Sequence, residues 1–410
     1  MPRTPLRVHW PSGRVGFSLA VIGQALVAAV QFACRWACGL KLGYSWGVRS
    51  GRYRGLVALA AVLVAGSFGR ASQGQVAGQA PGPVPGVATV ASSLASAFAS
   101  PESCAALLAQ RQRLARPAQV ARFASWNLHW FPDGKPGSSG SGSDVAWLAC
   151  AMSWLDADVI AVQEVKQTPA ARAALEQLLR ELNRLGAARY VSRVDTCGSR
   201  VPQHVGLIWN ENRVTASAVA DVAALNPSGE ACGKQLRPGL GARFRFRGGL
   251  DLTAISAHFK SMADERALDL RESTFAAVPG VLRELSQRSG DTDLLLLGDL
   301  NTMGCDSCSP AVSARDELQA ADQGLRRGGM RVVTADAPGS HFHDGQPTLL
   351  DHALASLDMR ELEPAALTHV AGACAAGAGP AAGGRAAKKV RQRLSDHCPI
   401  VLDLSDRDLD

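Results

Sequence analysis

The sequence predicts a layered α/β fold over residues 119–405, and three observations carry it. Short apolar runs, such as Leu294–Leu297, recur along this stretch with the length of buried strands. Segments with helical spacing lie between them, Asp144–Leu155 being the clearest. A period-two run, Arg243–Arg247, is joined to Leu250–Ala257 through Gly248-Gly249, which reads as a hairpin. Helices mixed with strands and a hairpin indicate mixed sheets in layers and argue against a purely parallel βαβ series.

Taken in order, Val120–Trp126 is a strand, and Pro132–Ser143 is rich in Gly and Ser and is expected to be a mobile loop. The helix over Asp144–Leu155 places Trp147, Leu148, Ala151, Trp154 and Leu155 on one side. Val159–Val162 is a buried strand leading to Glu164. Thr168-Pro169 then opens a helix with a cap and a first-turn proline, and Gly186 is expected to stop it. Val205–Trp209 is a further strand. The three arginines of the Arg243–Arg247 run read first as a solvated strand face and second as a phosphate stripe. Asp264–Arg288 is helical with an interruption expected near Pro279. Asp293–Leu297 and Ile400–Leu404 complete the buried strands.

The chain has 410 residues, 47% hydrophobic and 19% charged, which allows a sizeable core and excludes wholesale disorder. Its formal charge of +7 invites a nucleic-acid reading, but residues 1–101 hold nine Lys and Arg and no acid. Removing them leaves 34 basic against 36 acidic residues, so the rest is near neutral. Val15–Cys34 is long enough to span a bilayer. Gly55–Phe68 is a shorter apolar run behind Arg49, Arg52 and Arg54, with small residues after it, as in a secretory signal. Residues 1–47 are therefore read as an over-extended start or a transmembrane segment, with Val48 as the candidate true first residue. Residues 48–80 are read as the signal, 81–118 as a flexible linker and 406–410 as a tail. An exported protein, periplasmic or extracellular, is expected, with membrane anchoring through the first segment as the alternative. No internal repeat is present.

Polar residues suited to a hard cation and a phosphate stand where the apolar runs end, as at strand ends in α/β sheets. They occur in Trp126-Asn127-Leu128, Gln163-Glu164, His258, Gly298-Asp299-Leu300-Asn301, Leu350-Asp351-His352 and Ser395-Asp396-His397-Cys398-Pro399. Together, in this order, these motifs resemble the endonuclease/exonuclease/phosphatase superfamily of DNase-I-like phosphoesterases. The resemblance implies a four-layer α-β-β-α sandwich, two packed mixed sheets flanked by helices, with the site at one end. It also implies phosphoester hydrolysis with a divalent metal, magnesium first and manganese or calcium as alternatives.

On that resemblance Glu164 is the direct metal ligand, with Asn127 and Asp396 beside the ion. Asp299 orients or deprotonates the water. Asn301 lies two residues on, and shares the direction of Asp299 if the strand is still extended. His397 contacts the phosphate while Asp351 fixes its tautomer, and His258 donates to the phosphate or leaving oxygen. Arg237, in Leu236-Arg237-Pro238, resembles a phosphate-touching arginine. Lys260 is expected on the strand face of His258. His129 stands where many bacterial relatives carry an acid, which points towards a softer ion and a substrate contact.

Eight cysteines lie outside the leader, and an even set in an exported chain suggests disulfides. Cys197–Cys232 is the first expected bridge. Cys305-x-x-Cys308 lacks a second pair for zinc unless His341-Phe342-His343 supplies it, and a short-loop disulfide is favoured. Nucleic acid is the expected substrate, cleaved with low sequence specificity by a monomer without a stable protein partner. A lipid headgroup or inositol phosphate is the alternative, and a silent binding module with the same fold is the third reading.

Overall fold

The computed structural model describes residues 97–137, 142–200, 202–230, 232–233, 236–343, 346–374 and 385–410. They belong to one unit, Ala80–Asp410. The leader, the linker residues 81–96 and the centre of the Gly/Ser loop fall outside them. Among the described residues no helix is long and apolar enough to cross a membrane.

In chain order the elements are α1 (Pro101–Ala109), β1 (Val120–Phe131), α2 (Val145–Leu155), β2 (Val159–Val165), α3 (Pro169–Gly186), β3 (Tyr190–Val194), β4 (His204–Asn210), β5 (Val214–Val222), β6 (Gly239–Phe246) and β7 (Asp251–His258). There follow α4 (Glu265–Ser289), β8 (Leu294–Asp299), α5 (Ala314–Arg327), β9 (Met330–Val333), β10 (His341–His343), β11 (Gln346–Thr348), β12 (Asp351–Ser356), β13 (His369–Val370), α6 (Arg385–Arg393) and β14 (Ile400–Ser405). One six-stranded sheet has the order β13-β14-β1-β2-β4-β3, the other β5-β6-β7-β8-β12-β9, and β10-β11 is a separate hairpin. Each large sheet is mixed: β1 and β2 are parallel in the first, and β7 and β8 in the second.

Alternation along the strands sorts the apolar side chains into three spaces. Phe123, Val159, Ala161, Leu295 and Leu297 join the core between the sheets, with Phe244, Leu252 and Leu402. Their neighbours Ala124, Ile160 and Val162 turn the other way and pack against the α2–α3 side, with Trp147, Leu148 and Leu178. Leu294 and Leu296 likewise turn to the α4 side, against Phe275 and Val278. A strand buried on both faces is continuously apolar, so the four leucines before Asp299 belong to a central strand. The result is the four-layer α-β-β-α sandwich, two mixed sheets flanked by helices.

Three local expectations need correction. Residues 97–118 are not linker: Ser100 caps α1, Cys104 bonds to Cys150 of α2, and Phe98 packs edge-on to Trp126 and Trp154. The helix α4 runs unbroken through Pro279, held by the burial of Phe275, Val278 and Val281 on either side of it. In α3 the Thr168 cap and first-turn Pro169 are present, but Gly186 is still helical and Ala187 carries the left-handed turn at φ 45. The expected solvated face of β6 is there, with Arg243 and Arg245 both on Asp251 at 3.0 and 2.8 Å, Phe244 and Phe246 pointing in, and a hairpin turn to β7.

Candidate active site at one end of both sheets

Strand register builds the site. Asn127 lies level with Gln163 across the β1–β2 pair. In the other sheet His258, Asp299 and Asp351 lie level across β7, β8 and β12. Residues level on neighbouring strands share a face and stand about 5 Å apart, so three predicted site residues converge because of pairing alone. Gly298 permits it: a Cβ there would meet the Ala257 carbonyl oxygen at 1.9 Å.

Two bulges bring in the rest. The β1–β2 register shifts between Asn127 and Phe131, where His129 and Trp130 take φ 50 and 55. The β2–β4 register shifts between Val162 and Val165, around Glu164 at φ 60. A bulge re-aims a side chain at the cost of an unpaired residue and local strain. Here the strain is tied down, since Trp130 N donates to Glu164 Oε2 at 3.0 Å and His129 N to Asn127 Oδ1 at 3.0 Å. Asn301 corrects its expectation too. The strand ends at Asp299, and Asn301 reaches the site through a left-handed turn at φ 50, donating its N–H to Asp299 Oδ1 at 3.1 Å.

Asp299 is the centre. It is buried and accepts from Asn127 Nδ2 at 2.8 Å. His258 Nε2 stands 3.5 Å and His397 Nε2 3.7 Å from its Oδ2, and His258 Nε2 is 4.0 Å from Glu164 Oε1. Burial pushes Asp299 up to about 7, partly opposed by the charge of His397. Burial, with the cations Arg237, His397 and Lys260, drives His258 well below the usual imidazole range, so it is neutral. His397 is the reverse: burial works against its charge, but Asp351 and Asp299 outweigh it and hold the ring well above that range. Its Nδ1 pairs with Asp351 Oδ2 at 2.8 Å, which orients the ring, and Ser340 Oγ donates to the same oxygen at 2.7 Å.

The remaining predicted residues divide. Arg237 is half-buried, donates to His258 O at 3.4 Å and to Gln203, and sits in the field of Glu164 and Asp299. Lys260 lies just past the end of β7, not on the strand face of His258, and its charge is disfavoured by burial and by Arg237. Asp396 is surrounded by histidines, with His129 Nδ1 at 2.7 Å and His341 Nε2 at 3.8 Å. Those two rings hold it well below the carboxylate range despite its burial. Cys305 and Cys308 form a disulfide, which removes the zinc reading of that pair; Cys197–Cys232 is present as expected, with Cys374–Cys398 as the fourth bridge.

Several supporting roles escaped sequence reasoning. Buried Gln163 spans the two sheets, its Nε2 donating to Ser125 Oγ at 3.1 Å and Ser256 Oγ at 3.2 Å. Ser395 Oγ donates to Asn127 O at 2.6 Å and accepts from His397 N at 3.0 Å, while Trp126 Nε1 donates to His397 O. The ring of His341 packs on that of His397 at 4.5 Å. Arg271, fully buried, pairs with Glu317 at 2.6 Å and donates to the carbonyls of Lys260, Met262 and Gly304. It thereby clamps the two segments that follow His258 and Asn301. Gln163 was visible as half of Gln-Glu, but nothing local in the sequence marks Arg271.

The donor set fits a hard divalent cation. Glu164, His258 and Asp299 offer ligand atoms within 4.8 Å of one another, as do Asp299, Asp351 and His397, and His341, Asp396 and His397. Carboxylates outnumber imidazoles in the first two sets, which share Asp299, and the separations of 3.5–4.0 Å around it exceed a hydrogen bond.

The family model described as the Endonuclease/Exonuclease/phosphatase family matches residues 124–397. No curated protein matches the chain. Among solved structures, an endonuclease/exonuclease/phosphatase family protein from Bacteroides thetaiotaomicron is 17% identical, covering 70% of this chain and 94% of its own, at TM-score 0.47. A mannosyl-6-phosphatase from the same organism is 16% identical, covering 69% and 99%, at TM-score 0.46. Truncated Caenorhabditis elegans TDP2 is 14% identical, covering 70% and 98%, at TM-score 0.45.

Proposed function

Because this chain belongs to the endonuclease/exonuclease/phosphatase family, we propose that it is an exported, metal-dependent phosphodiesterase that cleaves nucleic acid with little sequence preference. The observation that carries the reading is Asp299, buried among Asn127, His258 and His397, with Glu164 across the gap. Phosphodiester hydrolysis needs an activated water, a protonated leaving oxygen and relief of negative charge. The proposed division of labour follows from the protonation states. Asp299, raised to about 7, takes the proton of the attacking water near neutral pH. Neutral His258 donates an Nε2–H hydrogen bond that stabilises the charge developing on the leaving oxygen, and water supplies the proton that oxygen takes up. Cationic His397, oriented by Asp351, contacts a phosphoryl oxygen, and Asn301 and Arg237 hold the others.

Glu164 would hold the ion directly, with Asn127 and Asp396 next to it; magnesium is first choice, manganese or calcium second. When bound, the ion supplies charge neutralisation at the phosphoryl oxygens. His129, locked to Asp396, takes a role in holding that carboxylate, with substrate contact from its half-exposed ring.

A polyanionic substrate is supported by α6, Arg385–Arg393, which carries five basic residues and no acid and leads within four residues to His397. Four disulfides support export. The near-neutral balance outside the leader favours the second reading, a lipid headgroup or inositol phosphate. Release of acid-soluble nucleotide from plasmid DNA with magnesium, beside parallel assays on sphingomyelin and inositol phosphates, separates the two. Turnover of DNA above the others is expected. Hydrolysis of a lipid or inositol phosphate with DNA untouched would replace the nuclease reading.

A further inference from the structure

At the opposite end of β8 from Asp299 a second set of carboxylates converges. Asp291 and Asp293 precede the strand, Glu361 follows β12, and Asp408 and Asp410 come from the segment after β14. Asp293 begins the run that ends at Asp299, so the two ends lie about 20 Å apart at strand rise. Asp291, Asp293 and Asp410 offer oxygens within 4.8 Å of one another. Asp293 and Glu361 are each only 3% exposed and face each other, and no N–H or hydroxyl of the chain donates to Asp293 Oδ1, Glu361 Oε2 or Asp291 Oδ2. The oxygens that are satisfied organise the cluster: Asp291 Oδ1 accepts from Asp293 N at 2.8 Å, and Glu361 Oε1 from Leu409 N at 2.5 Å. Arg360 Nη1 holds Leu409 O at 3.2 Å, drawing the last residues onto the same patch.

The nearest cation, Arg243, does not balance this charge. Its Nη2 is 3.8 Å from Asp291 Oδ2 but 3.0 Å from Asp251, and its Nη1 is committed to Ser289 O. Buried carboxylates without partners are costly unless neutralised by a proton or a metal. Burial, then the Glu361 carboxylate, pushes Asp293 up to about 8, which is the proton alternative. Three or more carboxylates with free oxygens suit calcium, which takes six to eight oxygens and accepts irregular geometry and water.

We propose that Asp291, Asp293, Glu361 and Asp410 form a calcium site, separate from the catalytic end, that pins residues 406–410 to the start of β8. The ion is structural: it replaces repulsion among carboxylates with shared coordination and makes the stability of the second sheet depend on calcium.

The test measures melting temperature and bound calcium by equilibrium dialysis at pH 8, on the full chain, with calcium as the probe. Wild type, Glu164→Gln, and the double variant Asp293→Asn/Glu361→Gln are compared. Calcium should raise the melting temperature of wild type and of Glu164→Gln by several degrees, with one ion retained in Glu164→Gln. The double variant should melt higher than wild type without calcium, because repulsion is relieved, and should show no calcium-dependent rise beyond that of the catalytic end. Equal calcium responses in wild type and the double variant overturn the site. So does Glu164→Gln without bound calcium, in which case a shared proton neutralises the cluster.

Discussion

At the scale of single residues, the site works through opposed environments for similar groups. His258 and His397 flank the same carboxylate, yet burial beside cations keeps one neutral and two carboxylates keep the other charged. Replacing Asp299 or His397 by Ala is expected to lower the rate at least about a hundredfold, the usual size of one acid–base or charge-stabilising contribution. Turnover near wild type by either variant would remove that residue from its role. The raised Asp299 value also has a stability consequence. Its folded value lies above the ordinary carboxylate value, so the metal-free folded chain binds a proton that the unfolded chain releases. That stabilisation is complete below about pH 4 and is lost as pH rises through about 7. Asp299→Asn should therefore gain stability relative to wild type between pH 5 and pH 8 in urea unfolding with chelator. Parallel curves for the two proteins would show that Asp299 titrates normally.

Among the elements, those that hold the site in place are strands with exact pairing and one buried clamp. Arg271→Met leaves buried Glu317 without its cation, with the Gly304 N–H still donating to it at 2.7 Å, and frees the carbonyls of Lys260, Met262 and Gly304. A loss of about 3–5 kcal/mol is expected on breaking such a pair, read by denaturant unfolding, together with a fall in turnover. A variant as stable as wild type would mean the clamp is dispensable. The same elements show what was legible in advance. Leu294–Leu297 and Val159–Val162 were readable because strands buried on both faces leave unbroken apolar runs. The edge strand β5, Val214–Val222, was not, since its small and half-exposed residues resemble a loop. Helix α5 was missed because Glu317 and Leu325 are its only buried residues, too few for a clear period. The motifs were readable as polar residues at the ends of apolar runs, but the aim of Glu164 and Asn301 depends on a bulge and a left-handed turn. Those are set by partner strands, which no local pattern reports.

For the molecule as a whole, two sheets that present polar ends on the same side make one site from segments as distant as Asn127 and His397. Gln163, bonded to Ser125 within its own sheet and to Ser256 of the other, ties the halves together directly beneath it. The proposed function requires that this site hydrolyse phosphodiesters through a divalent ion held by Glu164. It is tested most directly by turnover of bis(p-nitrophenyl) phosphate, a minimal diester, after chelation and after readdition of magnesium, in wild type and in Glu164→Gln. Chelation should abolish wild-type turnover and magnesium should restore it, while Glu164→Gln stays at least about a hundredfold lower at any magnesium concentration. Chelator-resistant turnover, or full rescue of Glu164→Gln by magnesium, would contradict it.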